Sequence, residues 1–225
     1  LKLYGKAPRK FMTVGVQWVA RGMTVKKALE VAVKHGWLDK VPSISTINNV
    51  QAYHGVGMTS PYRLWLAVLA AEGRSISFDL ETGTFPCRHD LLLLKIGEKL
   101  KSEHFRPARA VEVWRQEKKS YDILFRNNKK WFRFTCSGAL GDWYDLDSTL
   151  HAINTVLTHL DQAERLFNIE HEGQNAQLLL CSQKSLEQVS SELQLPGGAT
   201  ADALRARAKA FEAAVEKHFG IKETI

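Results

Sequence analysis

The chain has 225 residues, 44% of them hydrophobic, and a net charge of +7, with a mean hydropathy of −0.24. That length allows one large or two small domains around a buried core, and no apolar run approaches the roughly 18 residues of a membrane span, so no membrane partner is expected. The cysteines, Cys87, Cys136 and Cys181, are odd in number and far apart, which excludes a disulfide scaffold and fits a reducing cytoplasm. The charge is unevenly placed: +8 over residues 1–75, −1 over 76–100, +6 over 101–133 and −6 over 134–225. Two basic blocks are the expected footprint of phosphate contacts, and the acidic end is not expected to lie on nucleic acid.

In chain order, residues 1–12 carry Lys2, Lys6, Arg9 and Lys10 with Pro8. They read as an irregular basic arm, placed along phosphates or in a minor groove, or else a solvated tail. Residues 13–22 read as a helix with Val14, Trp18 and Val19 inward. Thr24 is an N-cap and Gly36 a helix stop. Between them Ala28, Leu29, Ala32 and Val33 make one apolar stripe at helical spacing. Asp39, Pro42 and Ser43 break the pattern. A further helix starts from Ser43 or Ser45 and stops at Gly55, with Ile44, Ile47, Val50 and His54 inward. Ser45, Asn48, Asn49, Ala52 and Tyr53 face outward. That outer face is uncharged, slim and rich in amides, and Asn pairs bidentately with adenine in the major groove.

Ala32-Val33-Lys34-His35-Gly36, a turn, and then Ser43-Ile44-Ser45-Thr46-Ile47-Asn48-Asn49 resemble the helix-turn-helix of DNA-binding domains. The Ser-x-Ser-Thr-Ile start of the second helix looks most like those of transposases and phage regulators. The resemblance spans residues 13–85, and its turn is several residues longer than the tight form. It implies an N-terminal domain, with or without a wing, that places its second helix in the major groove of duplex DNA. The nucleic-acid-binding candidates are then Lys26, Lys27, Lys34, Ser45, Thr46, Asn48, Asn49 and Tyr53.

Ser60-Pro61 opens a nearly all-apolar helix that ends at Gly73. Residues 75–80 alternate as a strand, Glu81-Thr82-Gly83-Thr84 is a turn signal, and a return strand ending near Cys87 would make a hairpin, either the wing or a plain connector. Residues 89–104 read as a helix ended by Pro107, and the domain boundary is placed near 106. Beyond it the period changes. Residues 110–114, 121–125 and 131–134 read as an antiparallel meander. Asp145 or Asp147 caps a helix. A hairpin follows from Arg165 to Cys181, then a short helix over Ser185–Leu193. This order predicts an α+β chain: a helical domain over 1–106, an antiparallel-sheet domain with helices on one face over 107–195, and a linker and amphipathic helix over 196–225.

Few residues point to catalysis. There is no phosphate-binding glycine loop and no nucleophile elbow. Cys87-Arg88-His89-Asp90 gathers three ligand types, yet zinc needs about four, and a buried Cys beside a capped helix start is the plainer account. Asp142, Asp145 and Asp147 form an oxygen-rich cluster of the kind that holds magnesium, or they cap a helix. Along the sheet segment Trp114, Trp131, Phe132, Phe134, Trp143 and Tyr144 interleave with Arg115, Lys118, Lys119, Arg126, Lys129, Lys130 and Arg133. These could form a platform for single strands, or simple alternation of core aromatics and solvated charges. Lys129, Lys130 and Arg133 join the nucleic-acid candidates on this ground. No cofactor and no metal are expected.

The leading expectation is a non-enzymatic DNA-binding protein, a regulator or an accessory factor of a mobile element, with a protein partner or second copy at the C-terminal domain. The alternative is an interaction subunit or adaptor of a larger assembly. A third is a metal-dependent nuclease built on the Asp142 cluster.

Overall fold

The structure, a computed structural model, describes Trp18 and residues 22–54, 60–172 and 174–195. The basic arm, the rest of the helix expected over 13–22 up to Arg21, Gly55, the linker at 196–199 and the helix expected from Thr200 lie outside the described residues. The described chain is α+β, with helices first and antiparallel sheets after. It divides into two compact units: one holds the described residues up to Glu72 together with Lys184–Leu195, the other Gly73–Gln183. The division thus falls at Glu72, where 106 was expected, because residues 73–106 share their core with the sheets.

The first unit is built on helices α1 (Val25–Lys34), α2 (Ile44–His54) and α3 (Pro61–Ala71). Thr24 caps α1, its Oγ1 accepting from Lys27 N at 3.2 Å. The helix ends with Trp37 N bonding to Ala32 O at 2.8 Å and Gly36 N to Val33 O at 3.0 Å. Gly36 has φ +75°, the left-handed residue that this helix ending requires. Ala28, Leu29 and Ala32 are buried, as the stripe predicts. Both α1 and α2 pack on α3, which buries Tyr62, Leu64, Trp65, Leu66, Val68 and Leu69. Trp18, Trp37 and Tyr62 surround Trp65 with ring centroids 5.4, 6.0 and 5.9 Å away.

The unit is completed from far along the chain. Helix α6 (Gln183–Leu193), expected to cover the sheet, belongs here from Lys184 onward. Its Ser185 Oγ accepts from Trp37 Nε1 at 2.9 Å, and Leu193 O accepts from Trp18 Nε1 at 2.8 Å. A buried indole N–H needs such a partner, and these two find theirs on the last described helix.

The second unit holds two three-stranded antiparallel sheets. One is the expected meander of β2 (Pro107–Arg115), β3 (Ser120–Asn127) and β4 (Lys130–Ser137). The other has β6 (Asn175–Ser182) between β5 (Glu164–Glu172) and β1 (Ser75–Asp79). Strand β1 therefore pairs with β6, Ile76 opposite Leu178. No return strand runs to Cys87: Pro86 has no N–H for a ladder, and Thr82 Oγ1 closes a local turn by accepting from Thr84 N at 3.2 Å. Helices α4 (His89–Lys99) and α5 (Leu146–His159) pack on the sheets, α4 on β1, β2 and β3 and α5 on β4 and β5. One core results, with Phe78, Leu93, Ile96, Ile123, Phe125, Ile153 and Leu178 among its members. Buried Asn127 ties the α4–β2 connection, accepting from Arg106 N at 2.7 Å and donating to His104 O at 2.8 Å.

Candidate nucleic-acid interface

Helix α2 is where the first basic block exposes its uncharged face. Ser43 caps it, Oγ accepting from Thr46 N at 3.1 Å, while Ile47 N bonds to Ser43 O. None of its side chains is buried. Ser45, Asn48, Asn49, Ala52 and Tyr53 are all exposed, the last at 87%. Ile47 and Val50 are half-buried toward α3, but Ile44 and His54, expected inward, are exposed, Ile44 at 76%. Ile44 occupies the first turn, ahead of the residues that reach α3. Thr46 is half-buried and its hydroxyl lies 2.9 Å from Ser43 Oγ, so the cap holds it back from solvent.

The lysines divide. Lys26 and Lys27 are exposed on α1, Lys26 only 4.0 Å from Glu30. Lys34 donates to Glu192 Oε1 at 2.6 Å, and His35 Nε2 lies 2.8 Å from the same oxygen. The hydrogen bonds from Lys34 and then His35 hold Glu192 below the usual carboxylate range. Lys34 is thereby engaged inside the unit, by a residue 158 positions away that motif reading does not reach.

The second basic block falls on the meander, and alternation sorts its residues as the ordinary account expects. Tyr121, Ile123 and Phe125 of β3 point inward, and Trp114, Phe132, Phe134, Trp143 and Tyr144 pack against the core. The outer face reads in rows across the three strands: Arg109, Arg126 and Trp131; Val111, Leu124 and Arg133; Val113, Asp122 and Thr135. Trp131 is 50% exposed, and Val111, Val113 and Leu124 stand at about the same level of exposure on this side. Asp122 Oδ2 accepts from Arg115 Nε and Arg133 Nη2, both at 3.1 Å, and the Arg115 hydrogen bond leads in lowering its pKa. Lys130 Nζ lies 3.1 Å from His159 Nε2, and Lys129 sits exposed in the β3–β4 turn with φ +67°. Arg109 escaped the sequence reading, although its two-residue spacing from Val111, Val113 and Arg115 already places it on this face.

The other clusters are turned inward. His89 is fully buried. Its Nε2 accepts from Asp145 N at 3.0 Å, so the ring proton sits on Nδ1 and faces Glu112 Oε2 at 3.1 Å. Cys87 N donates to Tyr121 Oη at 3.0 Å. Burial pushes the Cys87 and Cys136 thiols up, and Tyr121 up to about 12. These groups are poor nucleophiles. Asp145 caps α5: Oδ1 accepts from Ser148 N at 3.2 Å, and Oδ2 from Ser148 Oγ and Ser137 N, both at 2.7 Å. Asp142 takes part through its main-chain oxygen, which accepts from Thr82 N and Oγ1. Among the described residues, no group of three or more His, Cys, Asp or Glu side chains is arranged to hold a metal ion, and no helix is long and apolar enough to cross a membrane. The buried network of His89, Glu112, Tyr121 and Asp145 was not visible in sequence, since Glu112 stands 23 residues from His89 and Asp145 stands 56. Comparison with known family models, curated proteins and solved structures gives no match to this chain.

Proposed function

We propose that the chain is a nucleic-acid-binding protein whose first unit lays α2 on duplex DNA, as a regulator or an accessory factor of a mobile element would. The observation that carries this is α2 itself: a capped helix with no buried side chain, whose exposed face holds Ser45, Asn48, Asn49 and Tyr53 and no charge. Lys26 and Lys27 stand exposed on the preceding helix, where they can meet phosphates. Lys34 leaves the proposed contact set, since Glu192 holds it.

A mobility-shift titration on duplex DNA at several salt concentrations tests this. Asn49→Ala should remove about 1–3 kcal/mol of discrimination between a preferred and a random site. Lys26→Ala with Lys27→Ala should weaken binding to every sequence and reduce the salt slope by about 0.9 for each phosphate no longer neutralised. Duplex binding that neither change affects would sink the reading. The alternative, a protein-interaction subunit, draws on Ile44 and Tyr53, large side chains left 76% and 87% exposed on the same helix. Under it the chain ignores duplex DNA at low salt.

A further inference from the structure

We propose that the outer face of the β2–β3–β4 sheet is a second nucleic-acid site, separate from α2, and that its ligand is a single strand. It does not depend on the α2 reading, because its residues lie in the other unit.

Two like charges stand opposite each other across the ladder. Arg109 and Arg126 are direct cross-strand partners on the exposed side of β2 and β3. Like charges placed so are destabilising, and neither has a carboxylate partner among the described residues. Asp122 is the one acid on this face among the described residues, and it is already shared by Arg115 and Arg133. The face therefore sets four guanidinium groups against one carboxylate, and a chain of phosphates supplies the missing counter-charge.

Charge alone would suit any polyanion. Trp131 narrows the choice. It is the neighbour of Arg126 on β4, in the same row as the arginine pair, and half its surface is open. An indole standing on a flat sheet beside arginines offers a base a stacking surface, and stacking asks for bases that are already unstacked. The hairpin turns add to the field. Lys119 and Lys129 both hold left-handed conformations, φ +44° and +67°. Glycine would occupy such positions without strain, and charge stands there instead, one lysine at each end of the sheet.

The test uses the full chain with labelled oligodeoxyuridylate and oligouridylate of equal length, followed by fluorescence anisotropy across a salt series. Heparin serves as a polyanion without bases. The parent should bind at least one oligonucleotide at low salt, and the preferred one identifies the natural sugar. Arg109→Gln with Arg126→Gln should weaken binding to oligonucleotide and heparin alike and reduce the salt slope by about 1.4, or about 0.7 for each phosphate that an arginine no longer neutralises. Trp131→Ala should weaken oligonucleotide binding about ten-fold, spare heparin, and be rescued by Trp131→Phe. Melting curves check that each variant is folded; if the double arginine variant is not, Trp131→Ala and its rescue decide alone. Equal weakening on heparin and oligonucleotide with Trp131→Ala would overturn the proposal. So would a change of oligomeric state with Trp131→Ala, which would make the face a contact between copies. Loss of single-strand binding only in the Asn49, Lys26 and Lys27 variants would also overturn it, whereas failure on duplex DNA alone touches only the α2 reading.

Discussion

Asp122 is the residue on which the charge of the outer sheet face turns. Its carboxylate holds Arg115 and Arg133 at 3.1 Å and accepts from Thr135 Oγ1 at 3.2 Å. Both arginines are more than half exposed, so the pairs are screened and contribute little stability. Removing the charge should therefore cost the fold little and change the surface a great deal. Asp122→Asn frees both guanidinium groups, and oligonucleotide binding should become tighter, with a salt slope steeper by about 0.7 for each arginine recruited. A melting curve beside the anisotropy titration checks both halves of the expectation. Weaker binding would mean that Asp122 orients the arginines for the ligand.

Between helices α1 and α6 the comparable group is Glu192. Its folded pKa lies below the unfolded value, so its ion pairs stabilise above the ordinary carboxylate range and are lost as pH falls through the depressed value. Glu192→Gln should lower the melting temperature slightly near neutral pH. The gap to the parent should close on acidification below the carboxylate range; a gap that persists at low pH would show that packing, not charge, is at stake. This ion pair was not legible in the sequence. Helix α1 was, because Thr24, the stripe of Ala28, Leu29 and Ala32, and Gly36 lie within thirteen residues and each acts locally. Strands β2 to β4 were legible for the same reason, with short connections and clean alternation. Strand β1 was read as a strand but given the wrong partner, because β6 lies about a hundred residues on and nothing in Ser75–Asp79 names it. Of the candidate interface, the exposed face of α2 was readable from helical spacing. Ile44 was not, since burial at a helix start depends on where α3 passes. Alternation put Arg109 within reach, but its pairing with Arg126 and the Arg126–Trp131 row needed the register, which alternation alone does not supply.

For the whole molecule, the decisive fact is that the first unit is discontinuous. Trp18 and Trp37 donate to Leu193 O and Ser185 Oγ, and α6 adds buried Leu186, Val189 and Leu193. A fragment of residues 1–72 would leave two buried indole donors unpaired and an apolar surface open. It should lack a cooperative melting transition, and so should a fragment cut at 106. Residues 73–183 carry the sheet core intact and should melt cooperatively alone. Circular dichroism on the three fragments checks this; a cooperative 1–72 would mean that α6 is an accessory, not a part, of the helical unit.

The chain leaves the ribosome in the opposite order to that in which its units can close. The helices that carry α2 emerge early and wait for α6, which is made only after every described strand. The sheet unit can fold in the interval and shorten the span that the closing helix must bridge. The surface proposed for a duplex therefore matures last, although it is synthesised first, and a ribosome that stalls within the sheet would leave it unfinished.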